Sequence, residues 1–147
     1  CARRPPSAFD WKMENGNDDV NVLYKELPYT VYPSDEETIF VNDSDGYGGA
    51  HDYIFKVTTG KKNGKTEYLN EYETVQFVQK TDDGTIYTGA QDEQLIYVLL
   101  DRIKKLNDRF PSVYNDKVIR GLKTALEGFE DRVRDRLDRG VLGKLEK

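Results

Sequence analysis

The chain has 147 residues, 37% hydrophobic and 33% charged, with a formal net charge of −5. That length can bury a core without disulfides or a structural metal. One cysteine and one histidine exclude an internal disulfide and a Cys/His zinc or iron–sulfur cluster. The acidic balance argues against duplex DNA as a partner. No apolar run approaches the ~20 residues of a membrane span, and no signal-peptide pattern opens the sequence. A lone cysteine fits a reducing cytoplasm. The charge is uneven: residues 1–90 carry −7 and residues 91–147 carry +2. The two parts therefore present different fields to a charged ligand.

In chain order, residues 1–19 read as a disordered lead-in, with Pro5-Pro6 and a turn cluster from Asn15 to Asp19. Residues 20–88 read as β. Val20–Tyr24, Tyr29–Tyr32 and Thr38–Val41 are short runs of branched and aromatic residues, with Pro28 and Pro33 between them. Tyr53–Thr59 is the clearest strand, and Thr74–Lys80 alternates through Val75 and Phe77. Asn63-Gly64 and Asp83-Gly84 suit tight hairpin turns, because Asn and Gly accept positive φ. The second turn would join Thr74–Lys80 to Thr85–Tyr87.

After Tyr87 the apolar period changes from 2 to 3.6, and residues 89–147 read as a helical hairpin. Thr88 is a candidate N-cap, with Gln91 completing a capping box. Leu95, Ile96, Leu99, Ile103 and Leu106 form one face of a first helix. Phe110-Pro111-Ser112 stops it and starts a second. That second helix is expected to bury Val118, Ile119, Leu122, Ala125, Leu126, Phe129, Val133 and Leu137, and to end at Gly140. The fold class is α+β: an N-terminal antiparallel sheet followed by an antiparallel two-helix hairpin. A lone hairpin exposes too much apolar surface, so it is expected to pack on the β part, to form a homo-oligomer through the helices, or both.

Most chemistry-bearing motifs favour a structural reading. Gly60-Lys61-Lys62-Asn63-Gly64-Lys65-Thr66 has three residues between its glycines where a P-loop needs four, and no βαβ pattern surrounds it. It reads as a lysine-rich hairpin turn. Asp43-Ser44-Asp45-Gly46 resembles part of a calcium loop but has Val41 and Asp52 where the outer ligands belong. His51 beside Asp52, behind the Gly48-Gly49 loop, offers an acid–base pair but no nucleophile or paired carboxylates. No catalytic residue, metal site or cofactor is assigned. The strongest constellation is Arg132-Val133-Arg134-Asp135-Arg136-Leu137-Asp138-Arg139-Gly140-Val141. Arg132 and Arg136 share a helical face, and Arg139 continues the row. Guanidinium forks suit phosphate oxygens. Equally, arginines near a helix C-terminus complement the dipole, and Asp135 with Arg139 is a stabilising pair.

Gly89, Glu93, Leu95, Asp101-Arg102, Asn115, Ala125-Leu126 and the run from Arg132 through Asp135-Arg136 to Arg139-Gly140-Val141 and Gly143 carry a family resemblance. Over roughly residues 85–147 the chain resembles phage anti-Thoeris and anti-CBASS sponge proteins. These share a C-terminal helical hairpin and sequester nucleotide signals of bacterial immunity. The preceding β part fits the anti-Thoeris branch. The resemblance implies an oligomeric, non-enzymatic binder of cyclic ADP-ribose-type signals made by TIR-domain proteins. It also implies a possible second site for cyclic oligonucleotides and a place in the cytoplasm of the infected bacterial host. Carried over by position, Asn115, Arg132 and Arg136 match ligand-contact positions, and Arg102 and Arg139 match the motif. The family's aromatic near Lys105 or Leu106 is missing, and Phe77, Tyr87, Phe110 or Tyr114 are the substitutes on offer. Such a site needs arginines for the diphosphate, a ring for adenine and polar groups for the riboses. Outcompeting a receptor calls for nanomolar affinity, about −12 kcal/mol. Two rival readings are a phage structural or interaction protein with no small-molecule ligand, and a signal-degrading phosphodiesterase using His51.

Overall fold

A computed structural model describes residues 24–42 and 50–140. They fall into two units, divided between Ala90 and Gln91. The first is β. Strands β1 (Lys25–Glu26), β2 (Ile39–Asn42), β3 (Asp52–Lys62) and β4 (Lys65–Gln76) form an antiparallel sheet in sequence order. Strands β5 (Gln79–Lys80) and β6 (Ile86–Tyr87) form a separate two-stranded ladder. The second unit holds helices α1 (Asp92–Arg109) and α2 (Val113–Asp138), which pack on each other. The class is therefore α+β, with the antiparallel sheet preceding the helix pair.

Turn chemistry builds the largest part of the sheet. Asn63 and Gly64 have φ of 53° and 79°, and Lys62 pairs with Lys65 across them. Two positive-φ residues at a two-residue loop match the twist of the strands they join. The hairpin is longer than the sequence pattern suggests, because Lys65–Glu73 was not expected as strand. That segment is polar on both faces, so apolar alternation does not reveal it. The turn's register holds it instead. Thr74–Lys80, expected as one strand, is split at Phe77-Val78. Ala90 bonds there to both sides, accepting from Val78 N–H at 2.9 Å and donating to the Gln76 carbonyl at 2.8 Å. Gly89 makes this approach possible, since a Cβ there would lie 2.4 Å from the Phe77 carbonyl carbon.

Tyr29–Tyr32 is not a strand. The chain reverses with Ser34 N–H on the Val31 carbonyl at 2.9 Å, leaving one bridge between Thr30 and Glu37. Proline at either end removes ladder donors. Of Val20–Tyr24, only Tyr24 lies among the described residues. It is buried, and β1 follows it. One sheet face buries Tyr24, Phe40 and Ile54 against Tyr72, with Phe40 and Tyr72 in edge contact at 5.9 Å. The Tyr24 hydroxyl donates to Asp52 Oδ2 at 2.8 Å. On the other face Val41 is buried, and Tyr53 meets Phe77 edge-on at 5.8 Å.

Helix α1 starts at Asp92 with Gln91 as its N-cap, three residues later than the Thr88 start expected from sequence. Gln94 Oε1 accepts the Gln91 N–H at 2.9 Å, so the box forms one turn along. Ile96, Leu100, Ile103 and Asn107 line the inner seam, and only Leu100 is fully buried. Leu99 and Leu106, expected on the buried face, are exposed. Ser112 caps α2 as expected, its Oγ accepting from Tyr114 N–H at 3.1 Å. Gly140 follows the helix with φ of 69°. The eight expected core positions of α2 divide. Ile119, Leu122, Leu126 and Phe129 are half-buried, whereas Val118, Ala125, Val133 and Leu137 are exposed. A helix pair covers one narrow seam, so the rest of a broad apolar face stays open.

Two outcomes check this description. Gly89→Ala should lower unfolding stability by about 1–3 kcal/mol through overpacking. Gly128→Ala, whose Cβ would meet nothing within 4 Å, should raise it by up to ~1 kcal/mol. Urea titration distinguishes the signs. In the β5–β6 turn, Asp83 accepts from the Thr81 hydroxyl and the Thr85 N–H, and its pKa falls from 3.8 to about 2. The turn's gain from this carboxylate is complete above 3.8 and disappears as pH falls through about 2. A carboxyl NMR titration of Asp83 should show that low midpoint, and Thr81→Val should move it upward.

Candidate functional site

The arginine row lies on the last two turns of α2 and at its C-cap. With 26 residues, α2 is eight longer than the 18-residue α1. After a three-residue link, its final stretch runs about 12 Å past the start of α1. Arg132 and Arg136 sit one turn apart on this overhang. Arg136 falls on the inner stripe, continuing Asn115, Ile119, Leu122, Leu126, Phe129 and Val133 at alternating steps of four and three. It is half-buried. Arg132 and Arg139 lie seven apart in the adjoining row with Val118 and Ala125, all exposed.

The acids on this stretch are selective. Asp135 takes Arg139, Nε to Oδ2 at 3.0 Å, as the i,i+4 spacing implies. Asp131 takes Arg134 at 3.5 Å, and Glu130 pairs with the same guanidinium. Among the described residues Arg132 has no acidic partner. Exposed Val133 lies three positions before Arg136, so that cation sits beside an apolar side chain. On α1, Lys105 pairs with Asp101 at 2.8 Å, and that bond and charge raise the lysine's pKa.

The other expected ligand residues lie elsewhere. Asn115 stands 17 positions before Arg132 on the same helix, a rise of about 26 Å. It is a link residue: its Nδ2 donates to the Phe110 carbonyl at 3.1 Å, satisfying a group that the end of α1 leaves open. Phe110 is the C-cap of α1, 61% exposed, with the Arg109 guanidinium 5.4 Å from its ring centroid. Arg102 is exposed midway along α1. Tyr87 is half-buried on β6 in the first unit. One chain thus gathers Arg132, Arg136 and Arg139 at one end of α2, and Phe110 and Asn115 at the other.

Asn107 matters more to the link than its sequence suggested. Its Oδ1 accepts Ser112 N–H at 3.1 Å and its Nδ2 donates to Asp116 Oδ1 at 3.1 Å. A lone Asn near a helix end gives no signal beyond turn propensity. His51 is buried, with its carbonyl accepting Phe77 N–H at 2.9 Å, and Asp52 holds the Tyr24 hydroxyl. No group of three His, Cys, Asp or Glu suited to a metal occurs among the described residues. The calcium-like run Asp43–Gly46, the Gly48-Gly49 loop and the lead-in at 1–19 lie outside those residues. No helix among them is long and apolar enough to cross a membrane. Compared with known proteins, the chain matches no protein-family model and no curated relative.

Asn115 provides a test of these roles. Asn115→Ala should cost about 1 kcal/mol by freeing the Phe110 carbonyl, seen as a lower melting temperature.

Proposed function

We propose that the chain is a non-enzymatic sponge that holds a cyclic ADP-ribose-type signal of TIR-domain proteins. The observation that carries this reading is the Arg132–Arg136 pair on the overhang of α2. Two guanidinium groups one turn apart match the spacing of a diphosphate, and among the described residues Arg132 has no acidic partner. Charge-assisted hydrogen bonds from such forks contribute about 1.5–3 kcal/mol each. The exposed Val133 and Leu137 add an apolar wall for a base or ribose face.

The resemblance to phage sponge proteins supports the same reading, with the infected host's cytoplasm as the place of action. The open apolar positions of both helices support a homo-oligomer. Antiparallel contact between two hairpins would bring Phe110 and Asn115 of one copy toward the arginines of the other. That arrangement supplies the ring and polar group absent from the arginine end of a single chain.

A second reading is an interaction protein without a small-molecule ligand. The use of Arg134 and Arg139 by neighbouring acids favours it. Calorimetry with glycocyclic ADP-ribose separates the two. Under the sponge reading, the Arg132→Ala, Arg136→Ala double variant keeps its circular dichroism and melting curve and loses at least ~100-fold in affinity. Undiminished affinity in a folded double variant would reject the site.

A further inference from the structure

Helix α2 carries two uncharged rows, and α1 covers only one of them. The seam row runs through Asn115, Ile119, Leu122, Leu126 and Phe129. Shifted by one residue, Tyr114, Val118, Gly121, Ala125, Gly128 and Arg132 repeat at the same alternating steps of four and three. Each of these is exposed, and no charge interrupts the row before Arg132. The shift the other way gives Asp116, Arg120, Lys123, Glu127 and Glu130, charged at every position. A helix meeting solvent on both flanks of its seam has no need to separate them in this way. Both glycines of α2 fall on the uncharged row. Glycine inside a helix is destabilising relative to alanine, and within one chain a Cβ at either would meet nothing within 4 Å. The space they leave is open to an approach from outside the chain.

Helix α1 repeats the pattern. Leu99 and Leu106 precede the seam residues Leu100 and Asn107 by one position and are exposed, with Arg102 between them. Because the two helices of a hairpin run antiparallel, the same one-residue shift turns both open rows to one side of it. Tyr97, Asp101, Lys104 and Asp108 follow the seam residues, on the side of the charged row of α2.

We infer that this side of the hairpin binds a second copy of the chain, α2 against α2, antiparallel about a two-fold axis level with Lys123. In that register Gly121 faces Ala125, Val118 faces Gly128 and Tyr114 faces Arg132 of the other copy. Val118 and Ala125 each meet a glycine, so the helices can approach near the lower end of the usual 8–10 Å. The charges beside the row match as well, since Lys117 of each copy lies next to Asp131 of the other. Among the described residues Lys117 has no acidic partner, and Asp131 meets Arg134 at 3.5 Å. A shift of one heptad sets Asp135 against Val118 in one direction. In the other it leaves Gly128 and Arg132 beyond the start of the opposite α2. The same axis puts the two α1 helices side by side, which closes a four-helix bundle. The interface deepens the homo-oligomer of the proposed function and rests on that part of the reading alone. It adds Tyr114 of one copy to the arginine row of the other.

Sedimentation of the full chain without nucleotide tests this, so its failure and that of the sponge reading are distinguishable. The wild type should form a dimer or an assembly of dimers. Ala125→Glu should weaken association at least ~100-fold while keeping its helical circular dichroism, because it buries two unpartnered charges at the interface. Lys117→Asp and Asp131→Lys should each weaken it about tenfold. Combined, they should restore it, because the exchanged charges still match in this register. In a Cys1→Ser background, Val118→Cys with Gly128→Cys should give a disulfide-linked dimer on oxidation. Those positions lie about 15 Å apart in one helix, too far for an internal bond. The assignment is overturned by a monomeric or odd-numbered wild type, by undiminished association of a folded Ala125→Glu variant, by no recovery in the double reversal, or by no cross-link.

Discussion

Two helices can bury only one seam, and the second unit is shaped by that limit. Ile96, Leu100 and Ile103 on α1 and Ile119, Leu122, Leu126 and Phe129 on α2 occupy it, and of these only Leu100 is fully buried. The link is closed by polar bonds rather than apolar packing: Asn107 holds Ser112 and Asp116, and Asn115 holds the end of α1. What the seam leaves over is apolar surface at Tyr97, Val98, Leu99, Val118, Val133 and Leu137. It also leaves the end of α2, with its arginines, beyond the length of α1. Both features of the proposed binder, an open apolar face and an accessible cationic row, follow from a hairpin whose second helix is longer than its first.

The sheet unit depends on a different constraint. Its core is small, with Tyr24, Phe40 and Ile54 on one face and Val41 on the other. Backbone geometry therefore carries much of the specification. Asn63-Gly64 sets the long hairpin, and Gly89 allows Ala90 to bond beside Phe77 at the break between β4 and β5.

Much of this was legible from the residues. The change of period after Tyr87, Ser112 as a cap, Gly140 as a stop and both glycine turns follow from local rules with few competitors. Thr88 failed as a cap because the Gln91–Gln94 pair offers the same box one turn later. Lys65–Glu73 was missed because its strand is imposed by register and not by apolar alternation. Tyr29–Tyr32 was overcalled because β-favouring side chains say nothing about ladder donors removed by proline. In the candidate site, the Arg132–Arg136 spacing could be read directly from sequence. The distance from Asn115 and Phe110 to that pair could not be seen in a motif, since a signature spread along a long helix does not show which of its residues lie within one ligand's reach.

The central claim is that this chain holds a cyclic ADP-ribose-type signal without altering it. Retention and release tests it most directly. The protein is mixed with glycocyclic ADP-ribose isomers and cyclic oligonucleotides, free ligand is filtered away, and the retained fraction is released by heat and identified. Intact cyclic ADP-ribose-type ligand released in a fixed ratio to protein is the expected result. An empty protein with unchanged input in the filtrate, or nucleotide altered in either fraction, would contradict the account.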